Sequence, residues 1–127
     1  MTEILGAHSP EHCHILLVED HAQVRQFIEL VLVESGFRVT SAENGDSARE
    51  VMLAHTDTNL LVSDIRMPGS TDGLQLARWV KENRPSMGIV LQTGYSDIDT
   101  GPFTVLRKPF KQEELLTVIY QELQWVR

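Results

Sequence analysis

The strongest constraint on the fold is a recurring pattern. Short apolar runs of strand length each stop on a polar residue and alternate with stretches whose apolar residues fall at helical spacing. Leu60-Leu61-Val62-Ser63-Asp64 is the clearest case: it ends on a carboxylate, and Ile65-Arg66-Met67-Pro68-Gly69 follows. An apolar run without polar alternation marks a strand covered on both faces, as in parallel sheets. Ile15-Leu16-Leu17-Val18 shows the same pattern and stops on Glu19-Asp20, and Ile89-Val90-Leu91-Gln92 stops on Thr93. Phe37–Thr40 and Phe103–Leu106 complete five predicted strands, with Lys108-Pro109 just past the last.

Between the strands the period changes from two to 3.6. Val24, Phe27, Ile28, Val31 and Leu32 share one helical face, and Gly36 suits the C-terminal cap. Asn44 is placed to cap a helix burying Ala48, Val51 and Met52. Gly73 leads into a helix with Leu76, Ala77 and Val80 inward, ending before Pro85; the last helix carries Leu115, Val118, Ile119 and Leu123 on one side. Alternating strands and helices with right-handed crossovers give a five-stranded parallel doubly wound α/β sheet with helices on both faces. Residues 1–13 lack periodicity and read as a flexible lead-in, which leaves 14–127 as the single domain. His8, His12, Cys13 and His14 carry metal-ligating chemistry. Adjacent residues on extended chain point opposite ways, however, and no second ligand cluster follows, so ordinary structural roles are preferred.

The formal charge of −7 disfavours direct contact with nucleic acid or anionic lipid. One cysteine excludes an internal disulfide and fits a reducing compartment, and no apolar run approaches spanning length. The expected setting is the cytoplasm.

Ligands of open α/β sheets bind at the carboxyl ends of the strands. Glu19, Asp20, Asp64, Thr93 and Lys108 all fall at that edge, with the first and third strands as central neighbours. Carboxylates brought together there raise one another's pKa unless a cation neutralises them. Mg²⁺ suits such a site, since it takes hard oxygen ligands and needs only one or two carboxylates. Considered alone, Glu19-Asp20 has an ordinary alternative role as a helix cap at the positive end of the dipole.

The motifs Val18-Glu19-Asp20, Asp64-Ile65-Arg66-Met67-Pro68-Gly69 with Asp72-Gly73, Thr93-Gly94-Tyr95 and Lys108-Pro109-Phe110 resemble, in order, those of the receiver domain of two-component response regulators. The resemblance covers roughly residues 14–127. It implies a flavodoxin-like strand order 2-1-3-4-5 and a phosphoryl group accepted by Asp64 from a histidine kinase or histidine phosphotransfer protein. It further implies Mg²⁺, or Mn²⁺ or another divalent cation in its place, held by Asp20, Asp64 and the backbone carbonyl of Arg66, with Glu19 acting through a bound water. Lys108 and Thr93 would bind the phosphoryl oxygens, and Pro109 would hold Lys108 in place, through a cis bond if present. Output would then pass through protein contacts, with the phosphodonor docking near Gln23, Gln26 and Glu29. A phosphate sink or a phosphorylation-independent docking module is the alternative.

Two departures from the family pattern stand out. Val105 occupies the position three before the lysine where the family usually has an aromatic switch residue; Phe103 and Tyr95 are the nearest aromatics. The interval from Thr93 to Lys108, 108 − 93 = 15 residues, is too short for a full helix, so a stub around Asp97–Thr100 or an irregular loop is expected, as in receivers of hybrid histidine kinases. Arg66 and Tyr95 flank the acceptor and are expected to slow hydrolysis of a phosphoaspartate. Arg66 also argues against turnover of an external substrate, because it stands where phosphatases with an aspartate nucleophile carry their acid. A flavodoxin would need a hydroxyl- and glycine-rich phosphate loop after the first strand, where Glu19-Asp20 stand. Met1 and the irregular lead-in favour a stand-alone regulator over an excised hybrid-kinase receiver, although both stay open.

Overall fold

Strands sandwiched between helix layers have no solvated face, and β1 (His14–Val18) is buried at all five positions. The computed structural model describes residues 9–67, 69–95 and 99–124. After β1 the elements run α1 (Ala22–Glu34), β2 (Arg38–Ala42), α2 (Gly45–Ala54), β3 (Thr58–Asp64), α3 (Gly73–Asn83), β4 (Gly88–Thr93), β5 (Thr104–Arg107) and α4 (Gln112–Glu122). All strand pairs are parallel, in the order β2-β1-β3-β4-β5. The expected doubly wound sheet is therefore the observed one. β2 starts one residue later and ends two residues later than expected, and β3 starts two residues earlier.

Period-two alternation sends successive side chains to two separate cores. Ile15, Leu17, Leu60, Val62, Val90 and Leu106 pack with Ile28, Val31 and Leu32 of α1 and Leu115 and Ile119 of α4. Leu16, Val18, Leu61, Ile89 and Leu91 pack with Ala48 and Met52 of α2 and Leu76, Ala77 and Val80 of α3. Each fully buried Leu or Ile contributes about 1.5–3 kcal/mol, so both layers stabilise the sheet. Phe27 departs from the expected inward face. It is 50% exposed, as are Leu30 at 55% and Val33 at 52%, because the buried stripe of α1 is narrowed to Ile28, Val31 and Leu32.

Local signals set the helix ends. The Asn44 side chain accepts from the Ser47 amide at 2.8 Å, and Asp72 and Gln75 form a reciprocal capping box at the start of α3. Gly36, at φ +97°, turns the chain after α1. Gly73 is required for contact rather than conformation, since a Cβ there would lie 2.1 Å from the Asp64 carbonyl oxygen.

Of the expected lead-in, residues 1–8 fall outside the described residues, while Pro10–His12 form a 3₁₀ turn and Cys13 is buried. His14 is buried too, its ring bonded to the Thr58 and Thr40 hydroxyls at 3.1 and 2.7 Å. No helix lies between β4 and β5 among the described residues: Asp99 and Thr100 are irregular, and residues 96–98, including Asp97, are outside them.

Candidate functional site

The ends of β1 and β3 bring the carboxylates together. Glu19 follows β1 directly and is 1% exposed; its amide donates to the Ala42 carbonyl at 3.1 Å. Asp64 is the last residue of β3, its side chain 14% exposed. Asp20, exposed, precedes α1. Glu19, Asp20 and Asp64 each offer a carboxylate oxygen within 4.8 Å of the others.

Lys108 bridges two of them. Its Nζ donates to Glu19 Oε1 at 3.0 Å and to Asp64 Oδ2 at 3.3 Å. The Lys108 amide donates to the Thr93 carbonyl at 2.8 Å, and the Lys108–Pro109 peptide is cis. Glu19 Oε2 accepts from the His21 amide at 3.1 Å, and its carbonyl accepts from Arg25 Nη1 at 2.8 Å.

One ammonium does not balance three carboxylates. Burial pushes the Asp64 carboxyl up to about 6; Lys108 pulls it back, while Glu19 and Asp20 push it further up. Burial opposes the Lys108 charge, but Glu19 and Asp64 outweigh it and hold the ammonium above its ordinary range. The remaining excess of negative charge is what a divalent cation would offset, and an all-oxygen donor set suits Mg²⁺.

Thr93, 2% exposed, ends β4 with its Oγ1 accepting from the Tyr95 amide at 3.0 Å. The Arg66 guanidinium lies 4.2 Å from the Tyr95 ring centroid, and Arg107 Nη1 donates to the Tyr95 carbonyl at 2.9 Å. Glu19, Asp20, Asp64, Arg66, Tyr95 and Lys108 thus line one cleft of about 550 Å³. Of the two aromatics nearest the missing switch position, only Tyr95 reaches this cleft. Phe103 sits at the other end of β5, its ring 6.0 Å from Lys81 Nζ, and Val105 pairs with Leu91 within the α2/α3 layer. Glu29, expected on an exposed docking face, is half-buried and accepts from the Ser41 hydroxyl.

Sequence reasoning missed the Arg66–Tyr95 stack, which joins two loops whose spacing carries no sign of contact. It also passed over Gln92, whose polarity at the end of an apolar run was the available signal.

A five-stranded sheet in this order, with acidic residues after β1 and β3, a hydroxyl after β4 and a lysine after β5, defines a class. The chain belongs to the response regulator receiver domain family, whose model matches residues 15–120. It is 36% identical over 116 residues to the response regulator receiver protein CpdR of Brucella abortus, covering 86% of this chain and 95% of that protein. The DNA-binding transcriptional regulator NtrC of Escherichia coli is 33% identical over 126 residues, 89% of this chain, but the match spans only 26% of NtrC. The crystal structure of a receiver protein from Sinorhizobium medicae superposes with a TM-score of 0.83 at 33% identity, covering 91% of this chain and 98% of that one. Among the described residues, no helix is long and apolar enough to cross a membrane.

Proposed function

We propose that Asp64 is a phosphoacceptor, taking a phosphoryl group from a phosphohistidine of a histidine kinase or phosphotransfer protein. The observation that carries this reading is Lys108 Nζ, held between Glu19 and Asp64 where Glu19, Asp20 and Asp64 gather three carboxylates within 4.8 Å.

An Asp64 oxygen attacks phosphorus in line; the P–O bond forms as the P–N bond to the donor imidazole breaks, and the imidazole leaves with its electron pair. Asp20, Asp64 and the Arg66 carbonyl, with Glu19 beside them, would hold a divalent cation, whose charge would offset that of the phosphoryl oxygens. Lys108 exchanges Glu19 and Asp64 for those oxygens as a compact positive charge. Thr93 Oγ, which accepts from Tyr95, retains a proton to donate to the phosphoryl group, so modification draws the Thr93–Tyr95 loop inward. Arg66 and Tyr95 cover the cleft and slow the return attack by water. No turnover of an external substrate follows, because no acid stands two residues after Asp64.

The donor docks on α1, where Phe27, Leu30 and Val33 lie exposed beside Gln23 and Gln26. Apolar residues at this spacing form one face for a partner helix.

Incubation with Mg²⁺ and acetyl phosphate should add one phosphoryl mass, located at Asp64 by peptide mapping, and Asp64→Asn should abolish it. Folded wild-type protein that stays unlabelled, and is also not labelled by a phosphorylated kinase domain, would overturn the reading.

A further inference from the structure

β4 is apolar at Ile89, Val90 and Leu91 and then turns polar at Gln92. Gln92 is 0% exposed, yet neither Oε1 nor Nε2 has a hydrogen-bond partner among the described residues. A buried carboxamide without a protein partner is costly to keep in that condition.

The position of Gln92 follows from alternation and register. Val90, two residues earlier, belongs to the α1/α4 core, so Gln92 faces the same way. By the same rule Glu19, Asp64 and Lys108 continue the rows of Leu17, Val62 and Leu106 on that face. Gln92 pairs with Asp64 on one side and Leu106 on the other. Lys108 stands at the end of β5 and reaches Asp64 on β3 and Glu19 beyond β1, while β4 lies between β5 and β3. In register Lys108 follows Arg107, the partner of Thr93, so its arm leaves β5 beyond Gln92 and ends at Asp64, the β3 partner of Gln92.

We infer that Gln92 is a positioning residue for Lys108. Its carboxamide is unpaired while Glu19 and Asp64 hold the ammonium, and its Oε1 accepts a Lys108 N–H once the ammonium turns to phosphoryl oxygens. The inference rests on the phosphoacceptor reading. An ammonium has three donors, two of which serve Glu19 and Asp64 here; modification of Asp64 removes that arrangement and frees the lysine to settle lower over β4. An unpaired amide that gains a partner only in the modified state biases the equilibrium toward that state. Gln92 thereby places a switch element next to Thr93 in a chain that has Val105 at the usual aromatic position.

The test uses Gln92→Leu and Gln92→Met, which keep the approximate volume and remove the amide. Beryllofluoride, a phosphoryl mimic, is titrated in Mg²⁺ against both variants and wild type, and melting temperature is recorded with and without it. Both free variants should melt above wild type, and their beryllofluoride affinity should fall about tenfold, equivalent to about 1.4 kcal/mol. A packing role or a permanently bound internal water would affect free and bound states alike. Equal affinities in the three proteins therefore overturn the inference, as do free variants that melt below wild type. If wild type itself fails to bind beryllofluoride, the phosphoacceptor reading falls first and the role of Gln92 falls with it.

Discussion

The two ends of the sheet solve the burial of polar groups in opposite ways. At the carboxyl end Glu19, Asp64 and Lys108 are buried or half-buried with an excess of negative charge. At the amino end His14 is held by the Thr58 and Thr40 hydroxyls, and its amide donates at 2.8 Å to Asn59 Oδ1 beside a bulge in the β1–β3 pairing. Burial lowers the His14 pKa; Asp57, 3.8 Å away, opposes this, and Arg38 and His55 add to it. Cys13 beside it has its thiol pushed up to about 11, chiefly by burial. One end is hydrogen-bonded and charge-balanced, with Arg38 paired to Asp57 at 3.1 Å, and built for stability. The other is charged and under-compensated, which suits a site that gains its missing charges from ligands.

The largest effect separating the two ends is on labelling. Asp64→Asn should remove acetyl phosphate labelling completely, whereas His14→Gln should leave it intact, as read by intact mass. Next comes stability: Lys108→Ala strands Glu19, 1% exposed, without its counter-charge and should destabilise the fold by about 3 kcal/mol in urea melts. A comparable loss from Lys108→Met would identify the missing charge, rather than lost packing, as the cause.

The third effect is in pH dependence, where the ends should oppose each other. Asp64 has a folded pKa raised from 3.8 to about 6, so without metal the folded state takes up its proton first. Its contribution favours folding below pH 4 and is lost as pH rises through 6, worth about 3 kcal/mol at 1.36 kcal/mol per unit. His14 is depressed below 6.5, so the unfolded state takes up its proton first, and its contribution is present above pH 6.5 and lost as pH falls. Urea midpoints between pH 7.5 and 4.5 should fall more steeply for Asp64→Asn than for wild type, and less steeply for His14→Gln. Parallel profiles would erase the contrast between the ends. The smallest effect is kinetic: Arg66→Ala and Tyr95→Ala should shorten the phosphoaspartate lifetime a few-fold, as followed by loss of the phosphoryl mass, and an unchanged half-life would remove their covering role.

The carboxyl end was legible in the sequence because each element there announces itself. An apolar run that stops on Asp64 or Thr93 fixes strand, end and polar group together. The amino end was not, since His14 reads as one of several scattered histidines and only the parallel pairing brings Thr40 and Thr58 beside it. Phe27 fell on the expected inward face because periodicity finds a stripe but not its width, which neighbouring elements set. The Arg66–Tyr95 stack joins residues from two loops, for which no period exists. That no helix lies between β4 and β5 among the described residues was readable from loop length alone, whereas the burial of Gln92 required the sheet.

The contact between Gly73 and the Asp64 carbonyl leaves no slack between the acceptor strand and α3. Mechanically, α3 is then a lever with its pivot at the acceptor. At 1.5 Å per residue its eleven residues extend about 16 Å, so a tilt of about 5° at Gly73 carries Asn83 through about 1.4 Å. A displacement of the Asp64 backbone too small to matter at the cleft is thereby enlarged at the opposite edge of the molecule.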